Sequence, residues 1–523
     1  MGLHRLKTLR AGAALVFFAL TALVFLDLHN RLAPAVARGV LSLQFVPSLL
    51  QYIRTAAPGA AGFIVFAVLT VLFGRVYCST ICPLGTLQDI VGFAAARRQK
   101  RRRFRFSAPR NALRYAILSL AVLLPLAGSG LLLNLLDPFS SFGRIVTNLL
   151  RPVALLANNA AAVMLEQAGV YALPRVQWAA FAAASIGISM ATLLLVAWLA
   201  ATRGRLYCNT ACPVGTLLGL LAGVSWLRIG FDRDACTGCR SCEEVCKAGC
   251  IDSRKKTVDG SRCVACWNCL AVCRNNGLRF ENRWRRSVSP VRPDRERREF
   301  LLSSGVLLLG LTGVGEPARA IIQSKPTTIP ERVTGPASPP GSGSIARFTA
   351  TCTACHLCVS ACPSRVLVPS LFEFGLDGMM QPRMNYRSGH CNYECTVCME
   401  LCPSGAIQPL GVEKKKLTQL GLARFIKENC VVVTDNTACG ACSEHCPTKA
   451  VDMVPYQNPA NKPLKIPEMK PDFCIGCGGC EHACPTKPYK AICVDGNPTH
   501  KLAKKPVVKK VEERVDSSGD FPF

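Results

Sequence analysis

Histidine is scarce in this 523-residue chain: seven in all, at 4, 29, 356, 390, 445, 482 and 500. None falls inside a long apolar run, which argues against a haem held between two intramembrane histidines. Acids are scarce too, 33 against 62 Lys+Arg, for a formal net charge of +29. Aromatics make up only 7% of the residues. No glycine-rich dinucleotide fingerprint and no phosphate loop occurs where a strand–helix unit could hold one, so neither NAD nor ATP is expected. With half the residues apolar, a disordered chain is excluded, and the length excludes a small disulfide-stapled domain.

Cysteine, by contrast, is abundant: 30 residues, 26 of them after residue 230, whereas almost all long apolar runs lie before it. The split predicts a helical membrane half and a metal-cluster half, three or four units in all. Four segments have the length and apolarity of a span: Ala11–Leu28, Ala56–Gly74, Tyr115–Leu136 and Trp178–Ala201. Arg144–Val170 is apolar but interrupted by Asn148, Pro152, Asn158 and Asn159, and reads as an interfacial or loop helix. Basic residues cluster beside the spans, as in Arg97–Arg105 and Arg283–Arg298, so the charge reads as membrane topology and not as a nucleic-acid surface. The same flanks place the N-terminus inside.

The expected organisation is a membrane domain over 1–229, a cytoplasmic two-cluster ferredoxin domain over 230–282, and a basic segment, export signal or fifth span, and linker over 283–346. An exported domain with four cluster motifs follows over 347–494, then a polar tail over 495–523. The fold class is multi-domain, an α-helical membrane part joined to α+β bacterial-type ferredoxin units. Arg297-Arg298-Glu299-Phe300-Leu301, an apolar run to Gly315 and Ala318-Arg319-Ala320 resemble a twin-arginine signal with a cleavage site; a fifth span is the other reading. Both send the C-terminal domain across the membrane.

The chemistry is carried by runs of C-x2-C-x2-C-x3-C, in which three close thiolates hold one cubane and the fourth reaches a second. They come in pairs. Cys236, Cys239, Cys242 and Cys246 pair with Cys263, Cys266, Cys269 and Cys273. Cys352, Cys355, Cys358 and Cys362 pair with Cys391, Cys395, Cys398 and Cys402. Cys439, Cys442 and Cys446 pair with Cys474, Cys477, Cys480 and Cys484. Five to six [4Fe-4S] clusters are expected, with crossed ligation. In the last pair Asn436 stands where a cysteine should, and Cys430 is the candidate replacement. Cys391-x3-Cys395 is one residue long, Cys250 competes with Cys246, and Cys493 has no clear task. Structural zinc needs four ligands and no third close cysteine. Cys352-x-x-Cys355-His356 also matches a c-type haem attachment site, but the run continues through Cys358 and Cys362.

A second constellation lies in the apolar half. Arg75-Val-Tyr-Cys78-Ser-Thr-Ile-Cys82-Pro83-Leu-Gly85 returns as Arg205-Leu-Tyr-Cys208-Asn-Thr-Ala-Cys212-Pro213-Val-Gly215. Four thiolates on duplicated units could converge on a metal or redox site.

On these motifs, residues 1–280 resemble NapH/MauN-type membrane ferredoxins and 292–494 resemble NapG/MauM-type periplasmic ferredoxins, as in a natural fusion. The resemblance implies an inner-membrane, multi-pass electron carrier, an electron-transfer or quinol dehydrogenase subunit, passing electrons between the quinone pool and a periplasmic redox partner. The alternative role is a maturation factor that reduces a metal or thiol for a partner's cofactor. No inner route from the spans to the C-terminal clusters is evident in the sequence.

Overall fold

The computed structural model describes residues 2–55, 61–98, 104–178, 182–282, 335–457 and 463–505. The twin-arginine-like segment, the apolar run after it and the last residues of the tail lie outside the described residues.

Among the described residues, three helices are long and apolar enough to cross a membrane: Arg5–Leu26, Pro138–Gln167 and Ala183–Arg203. The first and third correspond to expected spans. The second takes in most of the segment Arg144–Val170, expected as an interfacial or loop helix, and by length and composition it is long enough to cross. Its polar side chains are satisfied by neighbouring elements: Asn148 Nδ2 donates to Ser185 Oγ (2.8 Å) and Ser189 Oγ (2.9 Å) on the Ala183–Arg203 helix. Asn158 meets His29 at 3.1 Å, and Asn159 Nδ2 donates to the Val176 carbonyl at 2.8 Å. Pro152 has no N–H to continue the ladder, and a π turn over Val146–Leu150 absorbs the mismatch just before it. Asp137 caps the start of this helix, its Oδ2 accepting from Ser140 N at 2.8 Å. The expected second and third spans form shorter helices, Gly62–Phe73 and Asn111–Leu126.

Residues after the helical part form small antiparallel pairs. Leu227–Phe231 pairs with Leu278–Asn282, and Ile251–Asp252 with Thr257–Val258 between them. The same plan recurs near the C-terminus: Thr418–Phe425 pairs with Ile492–Leu502, enclosing the hairpin of Val451–Tyr456 and Leu464–Met469. Between these units lies a third, with Leu367–Pro369 against Pro382–Met384. Two boundaries move. The strand pairing runs to Leu502 against Thr418, so 495–502 belongs to the C-terminal module and not to a tail. Residues 335–344, expected as linker, are packed in: Ser338 and Ser342 are fully buried, and Met384 N donates to the Ala337 carbonyl.

The N-terminal module (227–282) and the C-terminal module (335–505) meet opposite ends of the first long helix. Near one end, Arg10 lies 3.9 Å from Asp89, which also binds Lys247 of the N-terminal module at 3.0 Å. At the other, Asn30 Nδ2 donates to the Ala361 carbonyl of the C-terminal module. The helical stretch from Arg10 to Leu26 puts roughly 24 Å between these contacts at 1.5 Å per residue.

Candidate iron–sulfur sites

The third cysteine of every run sits in a one-turn helix: Cys242, Cys269, Cys358, Cys398, Cys442 and Cys480. In the four regular C-x2-C-x2-C runs, the residue two before it is left-handed: Arg240 (φ 62), Trp267 (φ 60), His356 (φ 64) and Gly478 (φ 80). The turn folds the three thiols around one space, and for the three non-glycine residues it costs roughly 1–2 kcal/mol each. The two irregular runs lack it: Thr396 and Gly440 have φ of −119 and −131. One extra residue in the first, and a displaced first cysteine in the second, relax the turn.

Among the described residues, four small cavities are each walled by at least four cysteines. Cys352, Cys355 and Cys358 share theirs with Cys402. Cys430, Cys439 and Cys442 share theirs with Cys484. Cys474, Cys477 and Cys480 share theirs with Cys446. Cys263, Cys266 and Cys269 share theirs with Cys246 and Cys250. Two more sets lie within mutual electrostatic reach: Cys242 with Cys239 and Cys273, and Cys398 with Cys391, Cys395 and Cys362. In every described set, the fourth thiol comes from the partner run.

The donor set fits cubanes. A lone zinc with 2.3 Å bonds would draw tetrahedral sulfurs to about 3.8 Å of one another. Among the described residues no group of three or more Cys, His, Asp or Glu closes to single-ion distance. A cubane spreads its four thiolates over the corners of a larger body, and sets of four cysteines are its usual ligands. His356 is spoken for: its Nε2 meets the Met380 carbonyl at 2.8 Å and its Nδ1 meets Asn148 at 3.3 Å. Burial pushes its pKa down to about 3, and neither nitrogen is left for a haem iron.

Cys246 and Cys250 both wall the cavity of the Cys263 set. Their sulfurs lie 3.6 Å apart. Hydrogen bonding to Cys250 pulls the Cys246 pKa down to about 7 and also lowers that of Cys263, while Cys250 itself is raised. Cys493 is fully buried in a strand, its Sγ 3.9 Å from the Arg424 carbonyl, and lines none of these cavities.

Cys78, Cys82, Cys208 and Cys212 come together, all buried. Cys212 lies within electrostatic reach of the other three. The two copies of the repeat interlock through a pair of fully buried arginines. Arg75 of the first copy donates to the Gly215 carbonyl (2.7 Å) and Asn209 Oδ1 (2.5 Å) of the second. Arg205 of the second donates to the Cys78 carbonyl (2.6 Å) and pairs with Asp89 (2.9 Å). Glycine is needed at Gly85 and Gly215, where a Cβ would collide with the Cys78 and Cys208 carbonyls respectively. Sequence reasoning singled out the cysteines but missed Arg75 and Arg205, although both stand at the head of the repeat.

A family model described as a 4Fe-4S binding domain matches residues 55–103 and 182–233, which contain both C-x3-C-P copies. A second, described as a 4Fe-4S dicluster domain, matches 351–406 and 437–487. An uncharacterised protein of Methanocaldococcus jannaschii is 35% identical over 98 residues, 18% of this chain and 38% of that protein. The ferredoxin-type protein NapH of Haemophilus influenzae is 24% identical over 261 residues, 48% of this chain and 75% of its own length. The methylamine utilization ferredoxin-type protein MauM of Methylophilus methylotrophus is 28% identical over 194 residues, 36% of this chain and 82% of its own. No solved structure matches the chain. The cysteine-walled cavities, the two matched 4Fe-4S models and relatives of both ferredoxin types make this chain similar to the NapH/MauN-type and MauM-type ferredoxin proteins.

Proposed function

We propose that this iron–sulfur electron-transfer protein links a quinol in the membrane to a redox partner on the far side. The observation that carries the reading is the placement of cysteine cavities at both ends of the helical domain. Cys246, Cys263, Cys266 and Cys269 would hold one cubane, and Cys236, Cys239, Cys242 and Cys273 its neighbour. In the C-terminal module the sets are Cys352, Cys355, Cys358 and Cys402; Cys362, Cys391, Cys395 and Cys398; Cys430, Cys439, Cys442 and Cys484; and Cys446, Cys474, Cys477 and Cys480. A bound cubane supplies one-electron storage at a potential tuned by its surroundings. The protein holds the thiolates, excludes water and keeps the sites close in sequence along each module.

Quinol entry is supported by a cavity of about 530 Å³ between the helical domain and the N-terminal module. Its wall includes Thr202 in the last turn of the Ala183–Arg203 helix, Leu206 just after it, Asn209 beside Cys208, and Ala248 two residues after Cys246. A headgroup there would lie at the end of a span and next to two cysteine sites. The test uses anaerobic full-length protein in detergent, with a soluble short-chain quinol or dithionite as reductant. Assay should find at least about 20 irons per chain, at four per cubane. Quinol should bleach the cluster absorbance. Thr202→Trp, which narrows the cavity, should slow bleaching by quinol several-fold and leave bleaching by dithionite intact. Equal quinol rates in both proteins would remove this cavity from the route, and an iron-free chain would remove the electron-transfer role itself.

A further inference from the structure

The four cysteines of the repeat sit between the two modules, and hydrogen bonds connect them to both. Toward the N-terminal module, Arg75 Nε donates to the Cys263 carbonyl at 3.3 Å, and its Nη2 donates to Asn209 Oδ1 at 2.5 Å. Asn209 follows Cys208. Toward the C-terminal module, the Tyr207 hydroxyl donates to the Leu136 carbonyl at 2.9 Å. Arg144 Nη2 donates to the neighbouring Leu135 carbonyl at 3.2 Å, and Arg144 Nη1 reaches the Ala354 carbonyl at 3.3 Å. Ala354 precedes Cys355. The route thus runs from Cys263 through Arg75 to Asn209–Cys208–Tyr207, then through Leu136–Leu135 and Arg144 to Ala354–Cys355.

The contact with the C-terminal module is direct. Gly143 allows it: a Cβ there would collide with the Cys355 carbonyl. Arg144 and the Cys355 loop are buried. Electronic coupling decays less steeply through covalent and hydrogen bonds than across a gap, so a packed, bonded route favours transfer.

The cysteines carry the marks of ligands as well as of neighbours. Gln88 Nε2 donates to Cys208 Sγ at 3.3 Å, and Gly215 N donates to Cys212 Sγ at 3.3 Å. N–H groups aimed at sulfur favour the thiolate. Buried Arg75 and Arg205 supply positive charge beside them, which four buried thiolates would otherwise lack.

We propose that Cys78, Cys82, Cys208 and Cys212 together hold a further iron–sulfur centre, and that this centre passes electrons between the Cys263 set of the N-terminal module and the Cys355 set of the C-terminal module. The helical domain is then the wire between the modules, and the C-terminal clusters need no separate donor. Each hop moves one electron: the donor set is oxidised as the repeat centre is reduced, and the centre is reoxidised by the acceptor set. Tyr207 and Arg144 are positioning residues of the outward half. The proposal rests on the electron-transfer reading above, and its test is chosen to fail separately.

Full-length protein is placed in vesicles with ferricyanide trapped inside and dithionite added outside. Valinomycin and potassium compensate the charge. Dithionite supplies the electrons and ferricyanide takes them. The wild type should reduce the trapped ferricyanide. Cys78→Ser with Cys208→Ser should slow this by more than an order of magnitude and lower the iron content by about four per chain, with the EPR signals of both modules retained. A wild type that contains iron but moves no electrons across, or a double variant with unchanged iron or unchanged rate, overturns the proposal. An iron-free wild type sinks the underlying reading instead. Should the double variant lose module clusters on purification, Tyr207→Phe decides, because every thiol stays in place. Full iron with a several-fold slower crossing supports the route, and an unchanged crossing overturns it.

Discussion

Cys430 and Cys493 are both buried thiols outside the regular runs, and their surroundings separate them. Cys430 walls a cavity with Cys439, Cys442 and Cys484, replacing the cysteine that Asn436 displaces. Cys493 faces the Arg424 carbonyl within a strand pair. Cys430→Ser should therefore cost about one cubane, or leave it with three irons, as read by iron assay and EPR. Cys493→Ser should retain all iron. Asp89 is the other residue on which much depends. Its carboxylate lies 2.9 Å from Arg205 and 3.0 Å from Lys247, tying the repeat to the N-terminal module. Asp89→Asn leaves those cations without their counter-charge in a mostly buried site. The expected cost is about 3–5 kcal/mol, seen as a lower unfolding midpoint and as new reactivity of Cys78 toward maleimide. The cysteine runs were legible at this scale because C-x2-C-x2-C spacing is a local signal. Arg75 and Arg205 were not, because the partner of each lies about 130 residues away in the other copy.

Elements were legible where their side chains are satisfied locally, and obscure where they are not. The Ala183–Arg203 helix carries no strongly polar interruption and could be read directly. In the Pro138–Gln167 helix, Asn148 looks like an interruption until Ser185 and Ser189 of another helix are seen to accept from it. Likewise nothing local announces that 495–502 continues a strand, because its partner, Thr418–Phe425, lies some 70 residues earlier. That strand ends in a testable pH response. His500 is mostly buried, with Nε2 2.9 Å from Ser338 Oγ and its backbone N–H donating to the Gly343 carbonyl. Burial lowers its pKa to about 4, against about 6.5 when unfolded. As pH falls below about 6.5, the unfolded chain takes up a proton that the native site refuses, so the stabilisation is present above that pH and is lost toward about 4. Thermal unfolding of the wild type between about pH 7 and pH 5 should show a larger fall in Tm than His500→Gln, which keeps a polar group for Ser338 but does not titrate.

At the scale of the whole molecule, the question is which face of the membrane each module meets. The two modules pack against opposite ends of a helix that is long and apolar enough to cross a bilayer, so they should occupy opposite compartments. The sign comes from the flanks. Arg5, Lys7 and Arg10 precede the first span, and Arg203 and Arg205 follow the last, on the side where Asp89 and Lys247 bind Arg205 and Asp89 respectively. The positive-inside rule predicts that this side is cytoplasmic and that the Cys352–Cys484 region lies outward. A phosphatase or fluorescent reporter fused after Gly277, in a chain ended there, should report the cytoplasm, and one fused after Phe523 the opposite side. The segment that carries the chain across is addressed by Arg297→Lys with Arg298→Lys. A twin-arginine route exports a module already folded around its clusters, consistent with metal binding that drives folding. Loss of the exported module in the double variant would assign that route. An exported module with its iron intact would instead leave an ordinary span. Both modules found on one side would refute the arrangement, since a wire through the helical domain would then join two sites that share a compartment.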